Sequence, residues 1–454
     1  MHGDFSRDSF DPKLNFSRVL MQQGRLIVDA DFNEQSAILL NYIRALAVDM
    51  IGWHGGAGNS LKATECEDGG IKIEGGRYYI NGFMAEWPEM ILPKFDDVQN
   101  YDRKPKSDTK DAVLVFADLY EQMVSAEERS EISDPGLGGV STCARQEVVP
   151  AVQTLWIEEK VISQDGEPLY DLKDQVEFHE LIGKPLRTPD EIPNLVAFTN
   201  RESSIEDDCF LDYSSGYTGL ENQLYRVEVH SAGNGKTFWN TDIGNNLQDA
   251  FTLKWSRDNG SIAYQGVTTG AGVTLTSKWR DDSRGIRCGD YVELISSDHE
   301  SLLLSEVTSI SEEDDKTMLL FGKKKVSIDI DQVVVVRRWD HRHRTEFPIA
   351  DNGGFFVKKS KVEGCSIEIP LEEGVFVQIQ IPNECKLKKG DFWLIPARSS
   401  TSDILWEKDD GKHGRESYKP KNASNVNHYC APIALITKDG SGLGIKDLRY
   451  NFRK

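Results

Sequence analysis

Two runs of strict alternation constrain this chain more than anything else in it. In GLENQLYRVEVH, Tyr225, Val227 and Val229 point one way while Arg226, Glu228 and His230 point the other. In DAFTLKWS, Phe251, Leu253 and Trp255 alternate with Thr252, Lys254 and Ser256. A period of two is that of a strand with one face in a core and one in water, so both runs are expected as half-buried strands of one sheet. Residues 231–250 between them are rich in Gly and Asn and too polar to pack alone. Asp258-Asn259-Gly260 offers residues that tolerate positive φ, which predicts a tight turn, with residues 261–264 returning.

The remaining chain is read by the same rules. Residues 1–30 form an extended arm punctuated by Pro12 and Gly24. Asp31 then suits a helix N-cap with Glu34 as its capping-box partner. Phe32, Leu39, Tyr42, Leu46 and Met50 make one apolar stripe, and Gly52 with Gly55-Gly56 ends this one long helix. The same DADFNE run opens like an EF-hand loop. Glu34 stands where the loop needs Gly and Leu40 where it needs a bidentate Glu, so the capping reading is preferred. Residues 70–86 read as a hairpin or short meander turning at Gly75-Gly76 and Asn81-Gly82, and 95–110 as a loop. Strands are expected at 112–120, 148–157, 307–310, 318–321, 333–339 and 375–381, with 134–145 irregular. Gly289-Asp290-Tyr291 and Gly390-Asp391-Phe392 each lead into an apolar strand, hinting at a repeated small-barrel module.

The expected fold class is mainly β (α+β): an N-terminal arm and one long helix, followed by several antiparallel β-sandwich or small-barrel modules. The segments read as 1–56 (arm and docking helix), 57–160 (first β domain), 161–212 (irregular insertion or linker), 213–345 (central β domain) and 346–454 (C-terminal β domain). At 454 residues several domains are expected.

Charge and cysteines narrow the function classes. The net charge of −21 opposes nucleic acid and anionic membrane, so neither is expected as a partner. No run of about 18 apolar residues occurs and the first ten residues hold no apolar core. The chain is therefore expected to be made in the cytoplasm without a signal peptide. Seven cysteines, odd in number and never in a CxxC pair, argue against a disulfide scaffold and a zinc ribbon. The sequons at Asn15, Asn259 and Asn422 are taken as chance.

One run concentrates chemistry. RRWDHRHR places Arg337, Arg338, Trp339, Asp340, His341, Arg342, His343 and Arg344 in succession. Arg337, Arg338, His341 and His343 are the candidate anion or partner site, and on a strand the two histidines would share a face that could also ligate zinc. The plainer reading, a solvated charged strand end, is favoured. Nucleophile elbows, phosphate loops, dinucleotide fingerprints and zinc-protease motifs are all missing from the sequence. Glu127, Glu128, Glu131 and Asp134 offer carboxylates without a defined separation. Trp239, Trp255, Trp279, Trp339, Trp393 and Trp406 could stack on sugars, but at strand spacing they read first as core. No enzyme activity, catalytic residue, metal or cofactor is expected.

Taken in order, NFSRVLMQQGRLIVDADFNEQ, GGRYYINGFMAE, DPGLGGVSTCAR, GLENQLYRVEVH, WSRDNGS, RRWD, LEEGVFVQI, GDFWLIPARSSTSDILW and HYCAPIALI resemble a bacterial family with a domain of unknown function. That family is encoded near baseplate and tail genes of phage-tail-like contractile injection systems. The resemblance implies a structural subunit, a baseplate, tail or fibre connector, incorporated in a particle that is released from the cell. Its partners would be other tail, baseplate or fibre proteins and further copies of itself. The assembly interface would fall on Phe16, Arg18, Gln22, Gln23, Arg25, Asp31, Asn33, Glu34 and Gln35. Some relatives carry a β-helix extension that this sequence lacks, and LYEQMVSAEERSEI replaces a more regular segment. A glycan-binding module and a cargo effector remain the rival readings.

Overall fold

The computed structural model describes residues 2–66, 69–92, 112–126, 128–137, 142–157, 172–183, 187–199, 216–239, 249–270, 272–276, 279, 282–296, 301–313, 316–322, 330–409, 412, 417–439 and 442–453. The expected loop at 95–110 lies outside them. The protein is mainly β, with two α-helices among the described residues and six sheets, one of them a closed six-stranded barrel. It divides into two compact units, each discontinuous in sequence. One gathers Met1–Asp8, Met123–Arg145 and Arg187–Asn425, and the other Ser9–Gln122, Gln146–Leu186 and Val426–Lys454. The five consecutive segments read from the sequence therefore do not coincide with the units.

In the first unit, a five-stranded antiparallel sheet runs Phe355–Phe356, Thr252–Ser256, Gln223–Ser231, Phe392–Arg398, Asp403–Ile404. Val227 sits opposite both Trp255 and Trp393. The apolar row Tyr225, Val227, Val229, Leu253 and Trp255 packs with Leu195, Ala197, Val375, Val377 and Ile379 of a second sheet, forming a sandwich core. The polar row is not in water, as a half-buried strand requires. Arg226, Glu228, Thr252, Lys254 and Ser256 are all buried, and Lys254 reaches a barrel strand. The period of two separates two interiors, one apolar and one ionic.

The turn at Asn259 and Gly260 forms, with φ of 50° and 62°. The chain does not return beside the same sheet. Ala263–Thr268 instead begins the barrel, ordered Ala263–Thr268, Gly272–Leu275, Lys316–Phe321, Ser301–Glu313, Tyr291–Ile295, Val333–Trp339 and closed on the first strand. Val273, Val292, Leu294, Val307, Leu319, Val334 and Val336 fill it. The two Gly-Asp-aromatic units are the same turn built twice. In each, the Asp carboxylate accepts from the backbone three residues earlier, at 2.8 Å from Arg287 and 2.7 Å from Lys388. They feed different sheets, the barrel and the sandwich, so the turn recurs but the module does not.

Residues 161–212, read as irregular, contain regular structure where described. Asp174 caps the helix Gln175–Leu181 through the Val176 and Glu177 amides. Asn194–Thr199 is a buried strand paired to Val375–Gln380. Mixed charge around these short elements hid their pattern.

The second unit holds the long helix, α1, at Asp29–Ile51. Its N-cap is Val28, without a side-chain cap, and Asp31 lies inside the first turn, where a carboxylate suits the helix dipole. Gly52 ends it at φ 96°. The expected hairpin forms between Gly76–Ile80 and Phe83–Trp87 through Asn81-Gly82. Gly75-Gly76 instead carries the chain between sheets, since Ile71–Ile73 pairs with Ala63–Glu65 and Met90–Leu92. His428–Asp439 pairs with Ala112–Val124, and their apolar residues form the core with Ile71, Ile73, Tyr78 and Ile80.

Gly82 is where α1 rests on the hairpin. A Cβ there would lie 2.4 Å from the Arg44 carbonyl oxygen, and φ is +79°. Gly82→Ala is expected to lower the stability of this unit by about 2 kcal/mol through clash and left-handed strain. Thermal unfolding checks this, and an unchanged melting temperature would mean that α1 is not seated on the turn.

Candidate functional site

The arm and α1 present the site that the sequence nominated. One side of α1 faces its own unit: Ala30 and Ile38 are buried, and Arg44 pairs with Glu121 at 2.5 Å while lying 3.8 Å over the Phe83 ring. The opposite side is apolar and in solvent. Phe32, Leu39, Ile43, Leu46 and Met50 are each more than half exposed. The arm is similar, with Leu20 67%, Leu26 92% and Ile27 66% exposed. It is tied back to α1 where Ser9 Oγ donates to Glu34 Oε2 at 2.5 Å and the Val19 amide donates to Gln35 Oε1 at 2.9 Å.

The nominated residues therefore separate into two groups. Phe16, Arg18, Gln22, Gln23, Arg25 and Asn33 are exposed. Asp31, Glu34 and Gln35 are partly buried, and the last two hold the arm to the helix rather than facing outward. Residues 2–8 are not part of a free arm, because they belong to the other unit.

The RRWDHRHR run is buried over its first half rather than solvated. Arg337 Nε donates to the Gly260 carbonyl at 3.0 Å and Nη2 meets Glu128 Oε1 at 3.1 Å. Arg338 donates to the carbonyls of Ser283 and Gly285 at 3.1 and 2.7 Å. The His341 and His343 side chains do not share a face. The first is buried with Nε2 3.0 Å from the Gly353 carbonyl, and the second is exposed. Burial drives the His341 pKa down to about 3, so this imidazole is neutral.

These arginines belong to a wider ionic cluster. Lys254 Nζ lies 2.8 Å from both Glu293 oxygens and 3.1 Å from Glu228 Oε1. Arg226 Nε meets Glu228 Oε2 at 2.6 Å, and the Trp339 indole donates to Glu293 Oε2 at 2.9 Å. His2 lies 3.3 Å from Glu228 and edge-on to Trp339, so the first residues are pinned into the cluster. Burial and the neighbouring Arg226 and Arg337 push the His2 pKa well below its usual value. Burial alone would raise Glu228, yet Lys254 and Arg226 outweigh it and hold the carboxyl well below the usual range. Arg226, Lys254 and Arg337 thus face Glu228, Glu293 and Glu128, and Arg338 lies 3.5 Å from Asp258 and 3.6 Å from Asp340. Such a set joins sheet to barrel and leaves no excess of cations for an external anion.

A family model describing a family of unknown function, DUF6519, matches residues 1–164 and 180–442. This chain belongs to that family. No curated protein and no solved structure matches it.

For this DUF6519 chain, the other sequence candidates are quickly placed. Trp255, Trp339, Trp393 and Trp406 are buried, and Trp239 and Trp279 are partly buried. Glu128 is committed to Arg337 and to the Ser125 amide, and Glu127 lies outside the described residues. Six cysteines, Cys66, Cys143, Cys288, Cys365, Cys385 and Cys430, are free thiols. Among the described residues, no three His, Cys, Asp or Glu side chains are placed to hold a metal, and no helix is long and apolar enough to cross a membrane. Sequence reading missed Lys254, Glu293 and His2 as members of one cluster, because they are far apart in the chain. It also missed that the helix stripe faces outward, since periodicity shows that a stripe exists but not what covers it.

Proposed function

We propose that this chain is a structural, non-catalytic subunit of a phage-tail-like contractile injection particle, a baseplate, tail or fibre connector that docks through its arm and α1. The observation that carries this reading is the exposed apolar surface. More than half of the large apolar side chains left exposed among the described residues lie between Leu14 and Met50. Apolar patches of this kind on otherwise well-packed proteins mark interaction surfaces. An exposed arm also offers backbone groups that a neighbour's sheet edge can pair. The particle itself is assigned from the ordered blocks of resemblance along the chain. Partners are other tail, baseplate or fibre proteins, and the tryptophans, being largely buried, lend no support to a glycan platform.

The test leaves residues 2–8 in place, because removing them would take His2 out of a buried cluster. A triple substitution, Leu20→Glu, Leu26→Glu and Ile27→Glu, changes side chains that are 67%, 92% and 66% exposed. It is expected to leave thermal stability within about 0.5 kcal/mol and to abolish recovery of the chain in particles purified from producing cells. Wild-type copy number should be fixed from particle to particle. Normal incorporation of the triple variant would remove the arm from the docking surface.

A further inference from the structure

We infer that α1 pairs with α1 of a second copy of this chain, as a two-stranded coiled coil. This deepens the docking reading and rests on it in treating the exposed helix face as an interface. Five of the exposed apolar residues of α1 follow a heptad, while Leu40, Tyr42 and Val48 lie outside its seam. Phe32, Leu39 and Leu46 fall at one seam position, d, and Ser36, Ile43 and Met50 at the other, a. All six are exposed, on the side of the helix opposite Ala30, Ile38 and Arg44. A globular helix shows its apolar stripe to its own core, whereas α1 carries a second stripe at coiled-coil spacing in solvent. Of the three a positions only Ile43 is β-branched, and it lies between Leu39 and Leu46 at d, the pairing that favours two strands.

The flanks decide the occupant. Positions e and g, which select partners through charge, hold Asn33, Leu40 and Ala47 on one side and Gln35, which accepts from the Val19 amide of the arm, Tyr42 and Asp49 on the other. In a chain of net charge −21, a helix built for a basic partner would carry carboxylates here. Only Asp49 is charged, so two copies of this helix approach without like-charge repulsion. A seam meeting its own copy is self-complementary about a twofold axis. The helix is also held in place before pairing, by Ile38 and by Arg44 on Glu121 and Phe83, so its ordering cost is met within the chain.

Sedimentation equilibrium of the full chain tests this directly. The wild type should fit a monomer–dimer equilibrium. Leu39→Glu with Leu46→Glu should weaken the dimer more than about 100-fold by placing carboxylates in the seam. Both sites are exposed, so circular dichroism of the double variant should match the wild type, and thermal unfolding should match it at concentrations where the wild type is monomeric. The arm triple variant should remain a dimer. A wild type that stays monomeric at every concentration overturns the pairing, as does a seam variant that still dimerises, and neither outcome touches the arm's role in the particle. Conversely, an arm variant that enters particles normally while the dimer persists removes the arm from the docking surface and leaves the pairing standing.

Discussion

Lys254→Met is expected to destabilise the sandwich-and-barrel unit by about 3–5 kcal/mol, the largest single-residue effect outside the apolar cores. Lys254 is 4% exposed, and its ammonium is shared between Glu293 and Glu228. Methionine fills similar volume, so the loss is electrostatic. Two buried carboxylates would face one cation fewer, with no water to replace it. Adding Glu293→Gln restores the balance, since Arg226 still faces Glu228 and Arg337 still faces Glu128. The double variant should therefore recover about 2 kcal/mol relative to the sum of the single ones. Equilibrium urea unfolding of the three variants measures this. Simple additivity would show that these groups stabilise the unit independently and that the cluster is not one network.

Acid is expected to weaken the same unit from about pH 6.5 downward, well before ordinary carboxylates titrate. Three of its histidines are held neutral: His2 by burial and neighbouring arginines, His230 by burial with a pKa near 4, and His341 by burial with a pKa of about 3. Unfolded histidine takes a proton near pH 6.5, while these refuse it until their lowered values. Their contribution is complete above that pH and is lost as pH falls through the window. Glu372 works the other way. Burial lifts it to about 7, so the folded protein accepts its proton first and gains stability between about pH 7 and 4.5. Asp258, also raised by burial, acts in that same sense at lower pH. Three protons against one leave a net loss of about 1–3 kcal/mol per pH unit between about pH 6 and 4.5. Below that range Glu228 and Glu293, both held low, add to the loss. Urea midpoints across the window give the slope, and Glu372→Gln should steepen it. A flat profile down to pH 5 would mean that the histidines are not kept neutral.

A charged interior, which a strand pattern could not reveal, underlies both the Lys254 effect and the acid sensitivity. Alternation at Gln223–Ser231 correctly indicated a strand and its two faces, since side-chain direction is a local property of extended backbone. It could not say what lay beyond the polar face. Solvent and a barrel wall carrying Glu293 impose the same sequence signal, a row of charge opposite a row of apolar side chains. The turn at Asn259-Gly260 was legible for the same local reason, yet its destination, a new barrel rather than the same sheet, depends on pairing with Val333–Trp339 far along the chain.

The helix shows the same division. Its existence, its Gly52 end and its apolar spacing follow from residues within a few turns of one another. Its start at Asp29 rather than after Asp31, and the use of Glu34 to hold Ser9 instead of capping, were set by where the arm lies. That the stripe faces away from the body is a tertiary fact, because Gly82 and Glu121 choose which side of α1 is covered. Sequence alone thus determined the β class, the single long helix and the local turns, each governed by backbone geometry over a few residues. Tertiary structure alone decided which polar rows are buried and which apolar rows are left in water, because burial is a property of neighbours that the chain brings together from far apart.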